Sequence, residues 1–134
     1  MHKQLLFLSL LLLLVGCEED FPTYSSFCSS TKTIPNCLHY VIPNLYEKEK
    51  IQKAFQVPND LKCKYRVELI KYHIGNCNNP IVKSTGSDMN GYVRIEIKKG
   101  FKCYYKVQSD YKNSEEEAFK RVLKQIEKEQ TNIN

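Results

Sequence analysis

The 134-residue chain contains no tryptophan, and its five glycines are too scattered to build a loop that cradles phosphate. No serine sits in a Gly-x-Ser-x-Gly turn, which excludes the strand-to-helix nucleophile of the α/β-hydrolases. No Cys-x-x-Cys pair is present, so the thioredoxin-type redox motif is absent too. Beyond the N-terminal stretch, no run approaches the roughly 20 apolar residues that a membrane-spanning helix needs. Charge of one sign is also scarce. Lys and Arg number 20 against 15 Asp and Glu, a net +5 that falls to +4 when Lys3 is set aside. So small an excess gives no argument for nucleic acid. The acids gather at residues 18–20 and around residue 115, where they have ordinary structural roles. The expectation is a protein that is not an enzyme and carries no cofactor.

What is present begins with the leader. Lys3 precedes an apolar core from Leu5 to Val15 that is broken only by Ser9. That core is too short to span a bilayer stably but has the length of a removable export signal. Leu14-Val15-Gly16-Cys17 resembles the bacterial lipobox, in which cleavage falls before a cysteine already carrying diacylglycerol. The resemblance implies that Cys17 becomes a mature N-terminus acylated with palmitate-like chains. A diacylglyceryl cysteine supplies two chains, and stable anchoring takes more than one. Glu18, rather than Asp, follows the cysteine, which in Gram-negative lipoproteins leaves outer-membrane delivery open. The expected organisation is a signal peptide over 1–16, a flexible tether over 17–36 and one periplasm-facing α+β domain over 37–134.

Five further cysteines stand at 28, 37, 63, 77 and 103. In an oxidising compartment such thiols become disulfides. Cys63–Cys103 is the expected bridge between the hairpin and its neighbour, with Cys28–Cys37 closing the tether onto the domain. Cys37 with His39, and His73 with Cys77, raise a four-ligand metal set, but oxidation of the same cysteines competes with it. No metal is expected.

The element order follows from periodicity. Cys37 to Ile42 reads as a strand closed by Pro43, and Asn44 caps a helix that runs through Gln56. Cys63 to Ile74 alternates as a half-buried strand whose parity flips at Leu69-Ile70, predicting a bulge there. A polar loop follows, with a short edge strand over Pro80 to Lys83. Residues 91–108 form a hairpin. A three-residue loop, Lys98-Lys99-Gly100, sets Ile97 against Phe101, Ile95 against Cys103 and Val93 against Tyr105. Ser114 with Glu117 makes a capping box, and Ala118, Phe119, Val122, Leu123 and Ile126 line one helix face. The fold class is α+β, a two-layer sandwich of a 3–4 stranded antiparallel sheet and two helices.

If the hairpin's apolar side meets the helices, the other side collects Arg66, Arg94, Lys102, Tyr104 and Lys106, joined by Lys62, Lys64 and Lys98. These are the candidate ligand-binding residues. A basic face interleaved with tyrosine fits an anionic lipid or an acidic protein surface. From Cys37 to Gln130 the element order is similar to that of the small lipoprotein of the outer-membrane lipopolysaccharide-assembly complex, although five cysteines depart from it. That resemblance implies a non-enzymatic scaffold beside an envelope protein, or a carrier that binds lipopolysaccharide. Metabolic labelling with a fatty acid tests the leader reading. The wild type should take up label and Cys17→Ser should not, and equal labelling of both would end the idea.

Overall fold

The computed structural model describes residues 21–74 and 89–133, and the expected edge strand over residues 80–83 lies outside them. It is an α+β fold: five strands and two helices stand in the order β1 (Thr23–Phe27), β2 (His39–Tyr40), α1 (Leu45–Phe55), β3 (Tyr65–His73), β4 (Gly91–Lys99), β5 (Lys102–Tyr111) and α2 (Glu115–Ile133). One mixed sheet runs β1-β5-β4-β3-β2, with β2 parallel to β3 and every other neighbour antiparallel. The sheet therefore has five strands, one or two more than expected.

The additional strand is β1, drawn from the region expected to be tether. Its residues Tyr24, Ser25 and Ser26 pair with Gln108, Val107 and Lys106 of β5. Only Phe27, at the end of TYSSF, is strongly apolar and packs on Tyr104 and Tyr105; the rest of the strand is held by polar contacts. The Glu129 carboxylate on α2 accepts hydrogen bonds from the Ser25 and Tyr105 hydroxyls, and Gln125 Nε2 donates to Ser25 at 3.3 Å. Residues 23–27 therefore belong to the sheet and not to a tether.

Both helices begin as expected. Asn44 Oδ1 accepts from the Glu47 amide at 3.0 Å, and α1 closes at Gln56 in the left-handed conformation (φ 57°). Ser114 Oγ accepts from the Glu117 amide at 3.1 Å. Such caps each contribute about 1 kcal/mol. The helices pack side by side on one sheet face, where Ile51, Ala54, Phe55, Ala118, Val122 and Ile126 bury against Val67, Val93, Ile95, Ile97, Tyr105 and Val107. Tyr40 is buried as well, its hydroxyl donating to the Val57 carbonyl at 2.7 Å, and burial pushes that hydroxyl's pKa well above its ordinary value.

The hairpin is present, but its register differs from the expected one. Lys99 faces Lys102 across a two-residue turn at Gly100-Phe101, with Gly100 at φ 63°. Ile97 then faces Tyr105, Ile95 faces Val107 and Val93 faces Ser109. Between the pairs Lys98–Cys103 and Ile97–Tyr105, the extra residue Tyr104 forms a bulge. No bulge interrupts β3, whose register with β4 is continuous from Tyr65–Lys99 to His73–Gly91. The parity change at Leu69-Ile70 is absorbed differently, because Ile70 and Tyr72 lie on the side away from the helices. Gly91 is required where it stands, since a Cβ there would fall 2.1 Å from the Tyr72 carbonyl oxygen.

Four of the expected cysteines form two disulfides, but with exchanged partners: Cys28–Cys103 and Cys37–Cys63. Strand order explains the exchange. β4 lies between β3 and β5, so cysteines on those two strands are about two strand spacings apart, roughly 10 Å and beyond the reach of a disulfide. Cys28 instead leaves β1 directly beside β5, its amide donating to the Tyr104 carbonyl at 2.9 Å. The bridges close loops of 75 and 26 residues. Chain-entropy reasoning gives roughly 4 kcal/mol for the long loop and about 3 for the short one. Denaturant titration of Cys28→Ser/Cys103→Ser should show the larger loss, and the reverse ranking would contradict the connectivity.

Candidate functional site

The sheet face opposite the helices is uncovered by any other described element. Along it the side chains form rows: Tyr72, Tyr92 and Asp110; then Ile70, Arg94, Gln108 and Tyr24; then Glu68, Glu96, Lys106 and Ser26. The middle of this face is an internally satisfied polar network. The Arg94 guanidinium lies 5.1 Å over the Tyr92 ring and donates to Gln108 Oε1 at 2.9 Å, while Gln108 Nε2 donates to Asp110 at 3.0 Å. Tyr72 stacks on Tyr92 with centroids 5.3 Å apart. Lys106 faces Glu96 across the strands. This region is mixed in charge rather than basic.

Basic character is concentrated at the hairpin end of the sheet. Arg66 Nη2 donates to the Gly100 carbonyl at 3.2 Å, which holds the guanidinium beside the turn. Lys98 pairs with Glu68 at 2.8 Å, and its pKa is raised, chiefly by that hydrogen bond. Lys64 and Lys99 both lie over the Tyr65 ring, at 5.7 and 5.9 Å. Lys99 and Lys102 face each other directly across the turn, an arrangement of like charges that costs stability. Between them Phe101 is 98% exposed, its ring offered to solvent at the tip.

The expected ligand-binding residues are therefore divided. Arg66 and Lys102 come together at the hairpin end, whereas Arg94 and Lys106 sit in mid-sheet. Tyr104 is not on the open face at all. The bulge turns it to the helix side, where it is buried, its ring 5.0 Å from that of Tyr65 and its hydroxyl donating to the Thr33 carbonyl at 2.7 Å. The three-residue loop expected from the sequence puts Phe101 on the core face. A two-residue turn instead makes it the tip, and only the turn type distinguishes the two placements. Cys37, half of one possible metal pair, is consumed by its disulfide. Among the described residues, no group of three or more His, Cys, Asp or Glu side chains is arranged to hold a metal ion.

A concavity of about 240 Å³ lies between the first turns of the two helices, with Tyr46, Phe119 and Leu123 among its walls. At its edge Lys71 bridges Glu47 of α1 and Glu115 of α2, the latter at 3.0 Å. Partial burial lowers the Lys71 pKa, but hydrogen bonds and charge from Glu47 and Glu115 outweigh it and leave the ammonium above its ordinary 10.5. The site joins the helix layer to the sheet through the Lys71 bridge.

No family model, no curated protein and no solved structure matches the chain. Among the described residues no helix is long and apolar enough to cross a membrane.

Because the folded-state pKa of Lys71 is raised, its contribution to stability is fully present below 10.5 and is lost as pH rises through the folded value. Wild type and Lys71→Met should therefore differ by a constant amount from neutral pH up to about 10, and the gap should close above it. A gap that is unchanged at pH 11 to 12 would show that the bridge adds nothing to stability.

Proposed function

We propose that the protein is a lipid-anchored subunit of the bacterial cell envelope, non-enzymatic, that holds an acidic partner at the hairpin end of its sheet. The observation that carries this reading is the turn: an exposed Phe101 flanked by Lys99 and Lys102, with Arg66 held against Gly100. Neither the exposed aromatic ring nor the cross-strand pair of like charges stabilises the free protein. An aromatic anchor with basic neighbours is the composition of a binding hot spot. The lipobox-like Leu14-Val15-Gly16-Cys17 supports anchoring and an outer-membrane location facing the periplasm. The two disulfides fit that compartment. The partner favoured is an envelope protein with an acidic surface.

A second reading, an anionic lipid or lipopolysaccharide at the same turn, draws on the same combination of Phe101 and lysines, since interfacial segments also pair apolar side chains with cations. Purification from the native membrane separates the two. A stoichiometric protein partner is expected with wild type. Its retention should fall about tenfold with Phe101→Ser and more steeply with salt when Lys99 and Lys102 are present than when both are Gln. If Phe101→Ser, Lys99→Gln and Lys102→Gln together leave the retention of every partner and of anionic vesicles unchanged, the turn is not the site.

A further inference from the structure

Strand directions give the domain two distinct ends. β1 enters at the end where β3 and β5 finish and β4 starts, and both helices also begin there, as the Lys71 bridge between Glu47 and Glu115 fixes. The hairpin turn with Phe101 is at the opposite end. Apart from Val41, which follows the edge strand β2, the exposed large apolar side chains divide between the two ends unequally. Tyr24, Leu45, Tyr46 and Tyr72, exposed to 62%, 73%, 62% and 50%, ring the end where the chain enters. Leu61 and Phe101 belong to the other end.

Three features narrow what covers the ring. First, only five residues separate Cys17 from Thr23, so an extended chain reaches roughly 20 Å at most. The headgroup layer itself takes about 5–7 Å of that reach. Secondly, three of the four side chains are tyrosines, whose apolar ring and polar hydroxyl suit the boundary between headgroups and water. Thirdly, among the described residues the cations in the first turns at this end are already paired. Lys71 is shared by Glu47 and Glu115, and Lys120 pairs with Glu116 at 3.6 Å and Glu117 at 3.2 Å. Two cations thus meet four carboxylates, so these groups offer no attraction to an anionic surface, and the contact must come from the amphipathic ring.

We propose that Tyr24, Leu45, Tyr46 and Tyr72 seat the domain end-on in the phospholipid headgroup layer of the membrane that anchors it, so that the Phe101 turn points away from that membrane. The inference rests on the acylation of Cys17 given under the proposed function. It assigns a second surface with a different partner, and it makes the short tether and the ring act together: the acyl chains hold the protein at the membrane, and the ring fixes its orientation.

Hydroxyl-radical footprinting of the acylated protein on vesicles of phosphatidylethanolamine and phosphatidylglycerol tests it. The reference is the mature chain with Cys17→Ser, exported behind an ordinary signal so that both disulfides form. On vesicles, oxidation of Tyr24, Leu45, Tyr46 and Tyr72 should slow several-fold, at low and high salt alike, while Phe101 and Leu61 react as in the reference. Equal reactivity of the ring in both samples would overturn the seating and leave the anchor standing. Protection of Phe101 in place of the ring would mean the opposite orientation, and protection that disappears in high salt would mean a charge-driven contact; either result overturns the inference. Mass spectrometry of the N-terminal peptide is read alongside, and an unmodified Cys17 would remove the anchor and the seating together.

Discussion

One inserted residue in β5 governs the architecture. Tyr104 stands unpaired between Lys98–Cys103 and Ile97–Tyr105, and on its far side the strand changes faces. Tyr105, Val107 and Tyr111 are thereby directed into the core beneath the helices. Uninterrupted alternation would send these same side chains to the open face and bring Lys106 and Gln108 inwards. The bulge also turns Cys103 outwards to meet Cys28, which holds β1 against β5. The pairing that Tyr104 lacks with β4 is offset by the Cys28 amide, which donates to its carbonyl, and by three aromatic contacts, since Phe27 packs against both Tyr104 and Tyr105, and Tyr65 against Tyr104.

The helix layer is fixed by a different kind of interaction. α1 and α2 run in the same direction, so their positive ends are side by side, an arrangement that is electrostatically unfavourable by itself. Acids in both first turns, Glu47 and Glu115 to Glu117, offset it. Lys71 then links two of these acids from the sheet below. At the other end of α2, Glu129 receives hydroxyl groups from two different strands. Burial, followed by the hydrogen bond to Glu129, pushes the Tyr105 pKa far above its ordinary value. Arg121 completes the set, donating to Ser109 Oγ and to the Asp110 carbonyl, both at 2.8 Å. Polar side chains thus clamp each end of the helix layer, and apolar ones fill the space between.

Much of this was legible in the sequence. Both caps could be read because capping is local: Asn44 and Ser114 act on amides three residues away. The buried set of β4 could be read because Val93, Ile95 and Ile97 alternate without interruption. Partners separated by longer stretches could not be read. β1 has no apolar periodicity, and its polar anchor lies 104 residues downstream in Glu129. The bulge position was misjudged because two aromatic residues in sequence, Tyr104-Tyr105, satisfy either parity, whereas the flip at Leu69-Ile70 looks decisive until Ile70 and Tyr72 are allowed on an open face. At the candidate site, charge composition was legible and its distribution was not: turn type decides whether Phe101 is core or tip, and Gly100 is compatible with both.

The nesting of the two bridges bears on how the chain is made. Cys28 and Cys37 are nine positions apart and are synthesised well before Cys63 and Cys103. An oxidant acting on the growing polypeptide meets these two thiols first, and joining them gives a small ring that the finished sheet does not contain. Cys28 has to remain reduced, or be released from that ring by exchange, until 75 further residues have been added. The order of synthesis and the order of pairing oppose one another, so the bond that ties β1 to β5 can form only after Cys103 has been added.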